Sequence, residues 1–353
     1  MQFMKLIKQI IFLSLIVLVN SNEIYNDFLT NDSEHIQILK KEPLIPSSAL
    51  NQTIQNDFFS FYSEEVEDNF TIDVRYPENY KQELNQTYPV IYLLDANFFI
   101  NITRFFNEEE GFGSVVSRLT DSGQIPEVIL VGIGYPKVNY RERDFLYPAF
   151  GWEEISGGGI RFSKFLENEL IPYIDSNYRT NNSFGRTLYG HSYGGYYSLF
   201  SLLNFNHWGP AIFTNYIAAS PAGYWAHHYL LDLEEEHQSQ FYGGLPLKLY
   251  MTVGSKENRL SFDGYNPIRE RFLNRSYSGF QFTTAIIPDA VHMATALPSF
   301  EEGLKWIFST PIPGKEGNLG FRRIVAGTSI GIGLAIIIGI SLAVYILKQK
   351  QKQ

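Results

Sequence analysis

The sequence predicts an α/β protein with a mostly parallel central sheet and helices on both of its faces. Three observations carry that expectation. Residues 88–94, 128–133 and 247–253 are short runs of almost unbroken apolar character, the pattern of strands buried from both sides. Stretches with helical spacing separate such runs, so strands and helices alternate along the chain. One junction, Tyr189-Gly190-His191-Ser192-Tyr193-Gly194-Gly195, follows a short strand at 186–189 and leads into a helical segment at 196–203.

Taken in order, the chain opens with Lys5 and Lys8 ahead of an apolar run from Ile10 to Val19. The run is too short to span a bilayer and has the length of a signal-peptide core. Val19 and Ser21 are small residues suited to cleavage after position 21, so residues 1–21 read as a signal peptide. Residues 22–56 form a polar N-terminal arm. Residues 58–63 and 70–76 alternate like half-buried strands, and Pro77 ends the second, so the two read as a hairpin. Phe162, Phe165, Leu166 and Ile174 fall at helical spacing. Residues 216–219, 247–253 and 282–287 give three later strands, and 298–308 a closing helix. The segment 224–244 reads as a cap over the site, with Glu234-Glu235-Glu236 as a solvated face. The folded domain spans 57–309.

Beyond it, residues 310–323 are a linker rich in proline and glycine. Residues 324–347 carry no charge and are long enough to cross a membrane as one helix. Residues 348–353 would then be a cytosolic tail. Arg322 and Arg323 before the span nearly balance Lys348, Lys350 and Lys352 after it, so the signal peptide sets the topology. The expectation is a single-pass type I membrane protein with its domain lumenal or extracellular. Within the span, Gly327-x-x-x-Gly331 offers a packing face for a dimer. Asn31, Asn51, Asn69, Asn85, Asn101, Asn181 and Asn274 each begin an Asn-x-Ser/Thr glycosylation sequon, in keeping with a secretory route.

Composition narrows the function. The 353 residues are 44% hydrophobic, enough for one α/β core of about 250–300 residues. A net charge of −9 gives a nucleic-acid role no electrostatic support. The chain has no cysteine, which excludes disulfides, thiolate metal sites and a cysteine nucleophile.

What remains is serine chemistry. Gly190-x-Ser192-x-Gly194 between a strand and a helix is the pattern of a nucleophile elbow. A serine at the tip of so tight a turn is held in a strained backbone conformation, and the residues two before and two after it approach closely. Glycine at both places removes the clash. The hydroxyl then stands clear of the sheet, and the N–H of Tyr193, the residue after it, can point at an oxyanion. A serine hydroxyl is a weak nucleophile unless a base takes its proton. Of the seven histidines, His292 follows the last strand, where the chain order serine, acid, histidine places the base. The same order puts the acid after the strand ending at Val253, which favours Glu257; Asp263 and Asp289 are the alternatives. This chemistry needs no cofactor and no metal.

The chain resembles the esterase D family of α/β-hydrolases, in the branch that includes siderophore (enterobactin-type) esterases. The residues that carry the resemblance run from Tyr88-Pro-Val-Ile-Tyr-Leu-Leu-Asp95 through Val131-Gly-Ile-Gly134, with Arg141 to Asp144, and residues 165–174. They continue through Gly190-His-Ser-Tyr-Gly-Gly195, Ser220-Pro221, Val253-Gly-Ser-Lys-Glu257 and Pro288-Asp-Ala-Val-His292. The resemblance implies the α/β-hydrolase fold and ester hydrolysis, and it points to Glu257 as the acid. It implies Asn97 as the second oxyanion-hole residue and makes Asp95 either a structural or a substrate-side carboxylate. Arg143 and Asp144 read as a structural pair. Three functions fit: a membrane-anchored serine esterase, an acyltransferase using the same acyl-enzyme, and a silent binding module on a hydrolase fold. A small-molecule ester is the expected partner. Few basic residues cluster near the site to attract a ferric-catecholate anion, so the resemblance does not fix which ester it is.

Overall fold

The computed structural model describes residues 55–99, 111–151, 155–208, 211–240 and 245–309. The expected signal peptide, most of the expected arm, the expected linker, the apolar span and the expected tail lie outside the described residues, as do Asn31, Asn51 and Asn101. Among the described residues no helix is long and apolar enough to cross a membrane.

One sheet of eight strands forms the centre: β1 (Gln55–Ser63), β2 (Asp68–Tyr76), β3 (Val90–Leu93), β4 (Ile129–Gly134), β5 (Thr187–His191), β6 (Asn215–Ala219), β7 (Lys248–Gly254) and β8 (Gln281–Ile287). Their spatial order is β1-β2-β4-β3-β5-β6-β7-β8. β2 runs antiparallel to both β1 and β4, and all other pairs are parallel. The helices are α1 (Ala96–Phe99), α2 (Phe112–Asp121), α3 (Arg141–Phe145), α4 (Gly159–Lys164), α5 (Ile171–Asn177), α6 (Tyr193–Trp208), α7 (Trp225–Gln240), α8 (Arg259–Asn274) and α9 (Ala296–Ser309).

The unbroken apolar strands serve two cores at once. Side chains alternate across a strand, so Val90, Tyr92 and Leu94 enter one core while Ile91 and Leu93 enter the other. Phe162, Phe165, Tyr197, Leu230 and Phe272 cover the first face. Phe112, Val115 and Leu119 of α2 and Phe300 and Leu304 of α9 cover the second. The strand order reverses at β3, whose neighbours are β4 and β5. In open α/β sheets ligands bind beyond the strands' carboxyl ends at such a reversal.

The hairpin expectation matches β1 and β2, and its alternation has a cause. Phe59 and Phe61 turn in against Tyr173, while Phe58 and Tyr62 on the edge strand face solvent. The helix expected from the spacing of Phe162, Phe165, Leu166 and Ile174 is interrupted: α4 and α5 are joined by a π-helical segment at Phe165–Leu170. The cap reading of 224–244 does not hold for its described part. α7 packs into the first core through Leu230 and Leu233. Nor is its acidic run simply solvated. Glu234 is buried and accepts hydrogen bonds from Arg271 (2.7 Å), Arg275 (2.9 Å) and the Tyr277 hydroxyl (2.5 Å). A buried carboxylate needs such partners, and here they come from about 40 residues further along. Of the described sequons, Asn69, Asn85 and Asn274 are exposed and Asn181 is half-buried.

Candidate active site

The elbow forms where β5 meets α6. Ser192 sits between them with φ +59°, a left-handed conformation that costs a non-glycine residue about 1–3 kcal/mol. Its N–H donates to Ala219 O at 2.9 Å and its carbonyl accepts from Ala222 N–H at 3.1 Å, so β6 and the turn after it hold the strained residue in place. A Cβ on Gly190 would lie 2.0 Å from Gly194 O, so glycine there is a steric requirement. Gly194 has a different reason: a Cβ there would press on Asp95 Oδ2 at 3.2 Å.

Glu257 and His292 meet across the ends of β7 and β8. Glu257 Oε2 lies 2.6 Å from His292 Nδ1. Its other oxygen accepts from Ser220 Oγ at 2.5 Å and from Gly254 N–H at 2.8 Å. The Glu257 side chain is 0% exposed and that of His292 40%. Burial alone would raise the Glu257 carboxyl. The hydrogen bonds from His292, Ser220, Gly254 and Ser261 outweigh it and hold the carboxyl down to about 2, so it is ionised at neutral pH. The two alternatives face elsewhere. Asp263 pairs with Arg259 and Asp289 with Lys256, on side chains 51% and 83% exposed. Among the described residues, His292 is hydrogen-bonded to Glu257 and not to Ser192. Contacts between nucleophile and base are often loose until substrate arrives.

His191, one residue before Ser192, ties the base to the elbow. Its Nε2 lies 2.8 Å from His292 O, and its ring centroid is 4.6 Å from that of His292. Burial and the neighbouring His292 push the His191 ring down to about 3, so it stays neutral.

Asp95, φ +57°, follows β3 beneath the elbow. Arg141 holds it with two hydrogen bonds, Nε to Oδ1 and Nη2 to Oδ2, each 2.8 Å, and also donates to His191 O at 3.2 Å. Burial alone would lower the Arg141 guanidinium, and the Asp95 carboxylate reverses this and raises it. The Asp95 side chain is 1% exposed and both of its oxygens are held by Arg141, surroundings that suit the structural alternative better than the substrate-side one. Arg143 and Asp144 are paired at 2.8 Å, with Arg143 also bonded to Asp68 at 2.7 Å. The Asn97 side chain is engaged as well. Its Nδ2 donates to Tyr135 O and its Oδ1 accepts from Tyr135 N–H, both at 2.6 Å. Asn97 and Tyr193 can therefore offer an oxyanion their main-chain N–H groups, which fall in the first turns of α1 and α6. First-turn N–H groups have no partner within their own helix.

The other histidines are elsewhere. His227 and His228 lie in the left-handed turn that opens α7, with φ +57° and +67°. His237 is buried with Nδ1 3.0 Å from Leu203 O, and His35 lies outside the described residues. Sequence reasoning did not single out Arg141, Ser220 or Thr295 for a role at the site, and it left His191 without one. Arg141 and Ser220 are among the residues that carry the resemblance, and Thr295 lies one turn after His292. Those were the signals available.

The Esterase family model, described as "Putative esterase", matches residues 63–276. The chain belongs to this Esterase family. Its curated relatives include the ferri-bacillibactin esterase BesA of Bacillus subtilis, 33% identical over 165 residues, which are 41% of this chain and 51% of the relative. A siderophore triacetylfusarinine C esterase of Aspergillus fumigatus is 31% identical over 165 residues, 44% of this chain and 52% of the relative. The chain spans about half the length of these curated relatives. Among solved structures, the BES protein from Bacillus cereus aligns with a TM-score of 0.60 at 25% identity, covering 75% of this chain and 99% of that one. The siderophore hydrolase EstA from Aspergillus nidulans aligns with a TM-score of 0.59 at 18% identity, covering 76% and 97%, which speaks for the fold alone.

Proposed function

We propose that the protein is a serine ester hydrolase of the siderophore-esterase type. Ser192 attacks the ester carbonyl and His292 takes its proton at Nε2. Glu257 holds the Nδ1 proton and stabilises the imidazolium as it forms. The N–H groups of Tyr193 and Asn97 receive the oxyanion. His292 then protonates the departing alcohol, leaving an acyl group on Ser192 Oγ. Water, deprotonated by His292, releases the acid and restores the serine. The observation that carries the reading is the 2.6 Å contact between Glu257 and His292 Nδ1. It leaves Nε2 as the basic nitrogen of a histidine whose carbonyl is bonded to His191, the residue before Ser192.

The relatives' names supply the substrate class, esters within siderophores. Membrane anchoring through residues 324–347, a lumenal or extracellular domain and N-glycans belong to the same proposal and rest on the sequence pattern.

The test is turnover by the full chain of a soluble aryl ester and of an iron-free cyclic triester siderophore, with and without added acceptor alcohol. The expected result is free acid from both, at a rate that acceptor does not divert, and none from Ser192→Ala. Acyl transfer to the alcohol in preference to water would replace hydrolase by acyltransferase. Undiminished turnover by Ser192→Ala would overturn the serine mechanism. A chain inert toward every ester would be the binding module.

A further inference from the structure

A buried cluster behind the proposed catalytic pair has no part in the chemistry written above. Thr295 is fully buried in the 3-10 turn His292–Thr295. Its Oγ1 lies 2.7 Å from Ser220 Oγ, 2.6 Å from His292 O and 3.3 Å from His191 Nε2. Ser220, also buried and with φ +43°, stands 2.5 Å from Glu257 Oε1. One threonine hydroxyl therefore touches the group that supports the acid and the backbone of the base.

Proton accounting gives the cluster a direction. An ionised carboxylate only accepts, so the Ser220 proton points to Glu257. That leaves Ser220 Oγ as an acceptor, and its neighbour at 2.7 Å is Thr295. His292 O is likewise an acceptor, so His191 Nε2 carries the proton between them, at 2.8 Å. His191 is neutral because it is buried beside His292. Thr295 then has one proton and two acceptors, Ser220 Oγ and His292 O. Shared between them, it links the turn carrying the base to the loop carrying the acid. The neighbouring backbone makes room for this side chain. A Cβ on Gly254, the last residue of β7, would lie 2.6 Å from Thr295 Cγ2 and 2.3 Å from Ala290 O.

We propose that Thr295 is a positioning residue which, through Ser220 and the His292 carbonyl, holds Glu257 and His292 in register. The proposal rests on the reading of Ser192, His292 and Glu257 given above. Thr295 touches no reacting atom, so its loss lowers kcat through misalignment of the base and leaves substrate affinity alone. Misplacement of a catalytic group by a fraction of an ångström is enough for a large loss.

The experiment is steady-state kinetics on the full chain for Thr295→Val, Thr295→Ser, Ser220→Ala and the Ser220→Ala/Thr295→Val double variant. Ser192→Ala is run alongside. Valine keeps the shape and removes the hydroxyl, and serine keeps the hydroxyl. The expected loss in kcat for Thr295→Val is about 2- to 10-fold, the range for a hydrogen bond between neutral groups, with KM near the parent's. Thr295→Ser should recover most of it. The double variant should be no slower than the slower single one, because the two act in one chain. Parental kcat in Thr295→Val, no recovery in Thr295→Ser, or multiplicative losses in the double variant would each overturn the proposal. If Thr295→Val does not fold, Ser220→Ala decides: a kcat loss with KM unchanged supports the chain and parental kcat overturns it. A Ser192→Ala protein that still turns over would instead overturn the serine mechanism, so the two failures are told apart.

Discussion

The two edges of the parallel sheet differ in how their backbone is spent. At the carboxyl edge, Asp95 follows β3, Ser192 follows β5, Ser220 follows β6 and Asp289 follows β8, all with positive φ and none of them glycine. At the amino edge Arg186 and Lys248 keep ordinary backbone conformations. Arg186 pairs with Asp175 at 2.5 Å and Lys248 donates to Ile307 O at 2.9 Å. A cleft of about 160 Å³ lined by Arg75, Glu78, Ser117 and Asp121 opens beside the start of β4, away from Ser192. That cleft and the strained backbone lie at different places, and the proposed triad lies with the strain. Strained conformations persist where the surroundings over-determine them, and here the neighbouring loops supply that constraint.

The largest effect that would break the comparison is at Gly190. Gly190→Ala places a methyl 2.0 Å from Gly194 O, so the expected outcome is loss of folded protein, read by circular dichroism. Gly123→Ala, where a Cβ meets nothing within 4 Å but φ is +68°, should cost only about 1 kcal/mol. Comparable melting of the two would mean the elbow is not closed as described.

Next is the acid. Glu257→Gln should lower kcat by up to ~10⁴-fold with geometry kept. Asp263→Asn and Asp289→Asn, on exposed side chains paired with Arg259 and Lys256, should stay near the parent. A silent Asp289→Asn enzyme beside an active Glu257→Gln would move the acid.

Two arginine–aspartate pairs sharpen the contrast between edges. Arg141→Met would leave Asp95 buried and charged, costing roughly 3–5 kcal/mol. Arg186→Met leaves an Asp175 side chain that is 26% exposed, and should cost about 1 kcal/mol or less. Chemical denaturation of both variants checks the ranking.

A further effect is in pH. His191 is pushed from 6.5 to about 3 on folding, so between those values the unfolded chain binds the extra proton and stability falls as pH falls. Glu257, lowered from 4.5 to about 2, contributes stability that is present above pH 4.5 and lost as pH falls toward 2. Each group adds a slope of at most about 1.4 kcal/mol per pH unit. His191→Gln should flatten the melting temperature between pH 6.5 and 4.5 and leave the lower limb; an unchanged upper limb would place the titration elsewhere.

How much of this was legible depends on distance along the chain. The central strands were readable because their apolar runs are local, and the glycine spacing of the elbow is a local steric rule. α8 passed unread because Gly264 and Pro267 interrupt it, although Tyr265, Ile268 and Phe272 line its buried face. α2 shows the same i, i+3, i+7 spacing at Phe112, Val115 and Leu119 and was also missed. The acidic run of α7 was misread because arginines at 271 and 275 cover Glu234. Chain order and resemblance pointed to Ser192, Glu257 and His292. It could not point to Thr295, whose hydroxyl matters only through a contact with Ser220 that lies 75 residues away.

The central claim is that Ser192 is the nucleophile and His292 its base. It is tested most directly by fluorophosphonate labelling of the full chain, followed by peptide mass spectrometry. The account predicts one modified peptide carrying the phosphonate on Ser192, with labelling slowed strongly in His292→Gln and abolished in Ser192→Ala. Modification of another residue, or ester turnover that survives complete labelling of Ser192, would contradict it.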